Sequence, residues 1–231
     1  LRAESDWSTP FVYPIKRPQS AERGTGMKRM QAVGMTIALA LAAAIATKAQ
    51  DASPADKERA LQYLESTKHG VLDATKGLSD AQWNFRPGPD RWSIAEVMEH
   101  LAAAEDLLRG TAQEKIMKTP AVPARDPQEI KRADDAVLTI VPDRSRKAQA
   151  PEPLKPTNRF GSPAAAQRHF LESRAITEQY LKDTNGLRAH VGDSPLGKLD
   201  GYDFVLFIAG HSERHTKQML EVKADPNFPK N

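Results

Sequence analysis

The chain carries six histidines in 231 residues, and two of them, His211 and His215 in "IAGHSERHTK", stand four apart. Neutral imidazole is a common ligand for divalent metals, and two rings one helical turn apart can reach a single ion. Two nitrogens do not define a metal centre, so this chemistry requires a third ring. His100 in "VMEHLAAAED" is the candidate. Three neutral imidazoles suit zinc or nickel, with iron and copper also compatible, and they leave coordination positions open for water or substrate. From spacing alone, a hydrogen-bonded buried cluster without an ion stays open as the rival reading.

The elements that must position these rings read as helices. Around the pair, Phe204, Ile208, His211, His215 and Met219 recur at steps of four, three, four and four, which is one face of a helix. This last helix starts near Tyr202 or Asp203 and runs to about Lys223. His100 sits on an earlier helix opened by Ser93 and Glu96, the spacing of a capping box, with Trp92 and Val97 placed as a hydrophobic staple. Ile94, Val97, Leu101, Ala104 and Leu108 form its buried stripe, which His100 flanks, and the helix extends to about Gly110 with a restart toward Met117. At ~1.5 Å per residue, His100 lies about 9 Å into its helix and the pair roughly 12–18 Å into theirs, depths that can meet inside one bundle.

Two more long helices complete the set. Ser53-Pro54 opens the first, with Leu61, Leu64, Val71, Leu72 and Thr75 on one face and a stop near Gly77. Ser162-Pro163 opens another, with Ala166, Phe170, Ser173, Thr177 and Leu181 inward. Between them, Ser79 caps a short turn around Trp83, and Asp126, Pro127 and Glu129 mark a capped helix near 127–138. The stretch after it, "PDRSRKAQAPEPLKPTNRFGSP", reads as a long loop that crosses the bundle end or covers a site there. No alternating strand series and no glycine-rich nucleotide fingerprint is legible. The fold class is therefore all-α, a four-helix bundle with a long, partly helical connection between its second and third main helices.

The remaining candidates read as local. His69, His169 and His190 suit surface or packing roles, and Trp83 and Trp92 read as core and staple residues. Gln218 can approach the histidines from the last helix or lie at a solvated edge. No general base is assignable: Glu96 is committed to capping, and the orientations of Glu99 and Glu105 are open.

The strings "GLSDAQWNFRPGPDRWSIAEVMEHL" and "LDGYDFVLFIAGHSERHTKQM" together resemble the DinB-like superfamily, over roughly residues 56–226. The resemblance implies an up-down-down-up four-helix bundle whose three metal-binding histidines fall on His100, His211 and His215. It implies transfer of a low-molecular-weight thiol or its use in isomerisation, as in some relatives. An ion with an open position that makes bound water or thiol nucleophilic gives the leading expectation, a divalent-metal enzyme acting on a small molecule by hydrolysis or thiol transfer. The alternative is a metal-binding or ligand-sensing bundle without turnover. Related bundles often pair, which leaves a homodimer open, and the family name carries no implication of DNA binding.

Composition bounds the setting. Residues 27–49 read as a signal peptide: Lys28 and Arg29, an apolar run from Ala32 to Ala46, then small residues around Lys48. The run is short for a bilayer span, so no stable span is expected once it is cleaved. Residues 1–26 read as an upstream extension that is non-native or disordered, and 50–231 as a single helical domain. The formal net charge of +3 is concentrated in the targeting region: residues 1–49 hold seven Lys or Arg and three Asp or Glu, leaving 26 basic against 27 acidic residues from Gln50 onward. A nucleic-acid partner is therefore not expected. The chain has no cysteine, which excludes disulfides and thiolate ligands even though the reading places it in the periplasm or outside a bacterial cell.

Overall fold

A computed structural model describes residues 51–146 and 148–230. The upstream extension and signal segment expected at 1–26 and 27–49 lie outside the described residues.

Four long helices form the bundle, α1 (Pro54–Thr75), α3 (Ile94–Glu114), α5 (Pro163–Asp183) and α6 (Gly201–Lys223), joined by two short ones, α2 (Asp80–Asn84) and α4 (Pro127–Ile140). The starts follow local chemistry. Ser53, Ser79, Ser93 and Asp200 each close a reciprocal capping box, with Asp56, Gln82, Glu96 and Asp203. Ser162 and Asp126 cap α5 and α4, each followed by proline at the first helical position. Helix α3 runs four residues past Gly110, because buried Ala112 continues its apolar stripe.

Side-chain contacts fix the helix directions. Between α1 and α6, Asp56 meets Tyr202, Tyr63 meets Glu213, and Ala74 meets Lys223, so these two helices are parallel. Between α1 and α5 the order reverses, Lys57 reaching Thr184 and Thr75 reaching Gln167. Helices α3 and α5 again run parallel, with Glu99 at the turn preceding α5, then Asp106 against His169 and Arg109 against Ser173. The bundle is up-down-down-up. Parallel α3 and α5 demand a crossover, which α4 and the segment after it supply; α4 packs on α6.

A hairpin is the departure from the sequence expectation. Strands β1 (Val191–Ser194) and β2 (Gly197–Asp200) pair antiparallel, with Ser194 opposite Gly197 and Val191 opposite Asp200. Four residues per strand are too few to display alternation. The hairpin delivers Asp200 directly into the N-cap of α6, and so sets where the histidine helix begins.

The apolar core comes in two parts. One surrounds Leu64, Leu108, Leu181, Tyr202 and Leu206. The other surrounds Val71, Val97, Met98, Phe170 and Met219. Between them lies a polar layer to which every long helix contributes: Thr67, Glu105, Arg174 and Ser212. Arg174 is completely buried, donating to both oxygens of Glu105 at 2.8 and 2.9 Å, to the Leu64 carbonyl at 2.6 Å, and to Thr67 and Ser212. Among the described residues, no helix is long and apolar enough to cross a membrane.

Candidate metal centre

The histidines adjoin this polar layer, His211 being next in sequence to Ser212. His100 comes from the second turn of α3, and His211 and His215 from successive turns of antiparallel α6. One ligand atom from each lies within 4.8 Å of the others. Ring centroids are 5.0 Å apart for His100 and His211, 4.5 Å for His100 and His215, and 4.4 Å for the α6 pair. The rotation expected from the α6 stripe is thus the one observed, and His100, at 3 % exposure, lies inside the bundle rather than at its flank.

Hydrogen bonds set how the rings present themselves. His100 Nδ1 lies 2.9 Å from the Leu154 carbonyl oxygen. A carbonyl has no proton to give, so Nδ1 donates and Nε2 keeps its lone pair. His215 Nδ1 makes the same kind of bond to Gln218 Oε1 at 2.8 Å, an oxygen that also accepts from Arg144. His100 Nε2 and His211 Nε2 stand 3.2 Å apart. Two nitrogens on a tetrahedral zinc ion, each at ~2.0–2.1 Å, would be separated by about 3.3 Å. Donor type, tautomer and spacing together fit a divalent cation, and the cluster is capable of coordinating one.

Electrostatics keep the rings neutral. Burial pushes His100 down to about 4, opposed by its bond to Leu154 and helped by the Arg159 charge. His211 and His215 fall well below the ordinary imidazole value, chiefly through burial, then through neighbouring rings; Arg214 adds to both and Arg174 to His211. Neutral imidazole is the form that binds metal. His211 is the partly exposed member. Trp92 packs against His100 at 5.1 Å and Phe207 stacks on His211 at 6.4 Å, giving the cluster aromatic flanks.

The glutamates that share α3 with His100 from Glu96 to Glu105 are all engaged. Glu96 accepts from the Ser93 N–H and pairs with Arg86. Glu99 accepts backbone N–H groups of Thr157, Asn158 and Arg159 at 2.7, 2.8 and 3.1 Å. Glu105 is held by Arg174. The capping role of Glu96 was legible in the sequence, and the other two orientations were not. His69, His169 and His190 stand apart from the cluster, bonded to Glu65, Asp106 and the Thr119 carbonyl.

Sequence reasoning missed two contributors. The Leu154 carbonyl left no signal, because a backbone atom in a long loop leaves none. Arg174 did leave one: it lies four residues after Phe170, on the buried stripe of α5, as Glu105 lies four after Leu101 on α3.

A family described as the DinB superfamily matches residues 63–219. The Bacillus subtilis (strain 168) protein YuaE, described as uncharacterized, is 29% identical over 153 residues, covering 64% of this chain and 87% of its own. YfiT from Bacillus subtilis, described as a probable metal-dependent hydrolase with an unusual four-helix bundle topology, aligns over 77% of this chain and 91% of its own. Its TM-score is 0.44 and its identity 17%.

Proposed function

This chain belongs to the DinB superfamily, and we propose that it is a divalent-metal-dependent enzyme acting on a small electrophilic molecule, with His100, His211 and His215 as the ligands. The observation that carries the reading is the convergence of three neutral, desolvated imidazoles with two of their Nδ1 atoms bonded to oxygen acceptors. Zinc or nickel suits that donor set best. A bound ion would supply Lewis acidity, making a coordinated water or thiol nucleophilic near neutral pH. The chain's own part is to hold the His100 and His215 Nε2 lone pairs inward with His211 Nε2 beside them, to keep the rings neutral, and to shield them with Trp92 and Phe207. Because Glu96, Glu99 and Glu105 are all engaged, deprotonation of the nucleophile falls to the ion rather than to a carboxylate base. Water and a low-molecular-weight thiol are the two nucleophiles this allows, giving hydrolysis or thiol transfer.

The same engagement of carboxylates favours a second reading, a bundle that holds metal to sense a ligand without turnover. Metal analysis of purified protein, followed by a substrate screen with and without added thiols, separates them. Turnover without thiol marks a hydrolase, turnover that requires thiol marks a transferase, and metal without any turnover supports the sensing role. His211→Ala is expected to lower zinc content at least tenfold under matched loading. Retention of one zinc per chain in that variant would overturn the ligand assignment.

Export is part of the proposal. Its support is the basic start, apolar run and small-residue end of residues 27–49, with no cysteine to require a reducing compartment. Mass spectrometry of the mature N-terminus from a cell-fractionation experiment tests it: a terminus near Gln50 in the exported fraction is expected, and an intact cytoplasmic chain contradicts it.

A further inference from the structure

The segment carrying Leu154 is held against α3 by two neighbouring side chains, Glu99 and His100. Glu99, adjacent to His100, accepts three consecutive backbone N–H groups, from Thr157, Asn158 and Arg159, and the Arg159 Nε at 3.1 Å. Consecutive N–H groups converging on one carboxylate make an anion nest, and Asn158 at φ 62 supplies the left-handed residue that turns the chain around it. Arg159 closes the loop on itself by donating to the carbonyls of Pro153 and Lys155, on either side of Leu154. Leu154 is buried, and its carbonyl receives His100 Nδ1. Two neighbouring α3 residues therefore grip the same segment, one through its turn and the other through the carbonyl that orients a histidine.

We propose that Glu99 is a positioning residue for the metal centre: by clamping the 157–159 turn it fixes the Leu154 carbonyl, which holds His100 in the Nδ1–H tautomer with Nε2 facing His211 and His215. This rests on the metal-ligand reading above. The coupling works in both directions. An ion on His100 Nε2 favours the Nδ1–H form, strengthens the bond to Leu154, and so tightens the segment. Loosening the clamp frees the ring to adopt the other tautomer, which turns a donor N–H toward the site. Groups that orient a ligand in this way typically contribute about 10–100-fold to metal affinity.

The test compares wild type, Glu99→Gln and Arg159→Ala in the full chain. Glu99→Gln keeps shape but removes the charge that gathers the N–H groups; Arg159→Ala removes the brace together with its own bond to Glu99 and a charge that helps keep His100 neutral, and serves if the first variant folds poorly. Three quantities are read: zinc affinity by calorimetry with a competing chelator, ring-nitrogen chemical shifts of the three histidines in metal-free protein, and amide hydrogen exchange at 157–159. The expected result is zinc binding weakened about tenfold or more, a mixed tautomer at His100 alone, and faster exchange in the turn. In wild type, zinc slows that exchange. A clamp that serves only general stability would lower the melting temperature while leaving His100 shifts and zinc affinity unchanged, and that result overturns the proposal. If wild type takes up no zinc, the metal assignment itself falls. If wild type binds zinc and both folded variants match it, only the clamp falls.

Discussion

At the scale of single residues, what matters at the centre is that its rings resist protonation. His100 is held at about 4 and the α6 pair well below the ordinary value, in each case chiefly by burial. Protons compete with metal only when the folded protein can bind them. As pH falls from 7.5 to 6.0, three ordinary imidazoles would lose roughly 50-fold in affinity, since all three must be neutral together. Here the folded values lie below that window, so no proton has to leave. Zinc affinity is expected to change less than about threefold over the same interval, as read by competition titration. A steep loss beginning near 6.5 would show that the rings titrate like exposed ones. The convergence of these residues was legible from HxxxH on an apolar stripe and one histidine beside a second stripe, whereas their reading as a ligand set drew on the family resemblance, because spacing alone left a hydrogen-bonded cluster open. The partners of their second nitrogens were not, because Leu154 acts through its backbone and Gln218 had two equivalent readings.

At the scale of elements, helix starts were the readable features, because capping is local chemistry written in three or four adjacent residues. Ser53, Ser93 and Ser162 each announced a helix that the structure begins there. The start of α6 was less legible, since its cap draws on distant partners. Asp200 caps α6 while accepting from Arg125 at 2.9 Å and from Arg188 at 3.2 Å. Arg188 is also held by Asp134 and lies 4.0 Å over the Tyr202 ring. Asp203 sits in this crowd of carboxylates, fully buried, with Oδ1 lacking a hydrogen-bond partner. Burial first, and then the Asp200 charge, push it up to about 9 from an ordinary value of 3.8. A carboxyl whose folded value is raised is protonated in the folded state while the unfolded chain has already released its proton. Its contribution is therefore full below about 4 and is lost as pH rises toward 9. Asn mimics the protonated form, so Asp203→Asn is expected to leave stability near wild type at pH 5 and to exceed it at pH 9, in urea unfolding at both values. A variant equally destabilised at both would show that the carboxylate is ionised in the fold.

At the scale of the whole molecule, the apolar pattern predicts four inward faces but not that a charged layer divides what they enclose. An arginine on a stripe is ordinarily read as an interruption. In this bundle Arg174 of α5, Glu105 of α3, Thr67 and the Leu64 carbonyl of α1, and Ser212 of α6 meet at one level. The histidine cluster adjoins that level, Ser212 being next in sequence to His211. Partners are available only at matching heights, so a helix displaced by one turn would strand a buried charge. We infer that the layer fixes the helix register on which convergence of the three rings depends. The energetics distinguish removal of one partner from removal of both. Glu105→Ala leaves a buried guanidinium without its counter-charge and is expected to lower unfolding free energy by about 3–5 kcal/mol. Replacing both, Glu105→Leu with Arg174→Met, removes the charges together. It forfeits the bond to the Leu64 carbonyl but fills the space with apolar atoms, so stability should return to within about 2 kcal/mol of wild type. If the register depends on the layer, the double variant unfolds almost as late as wild type yet binds zinc more weakly. Equal zinc affinity in the double variant would mean that the apolar faces alone align the helices.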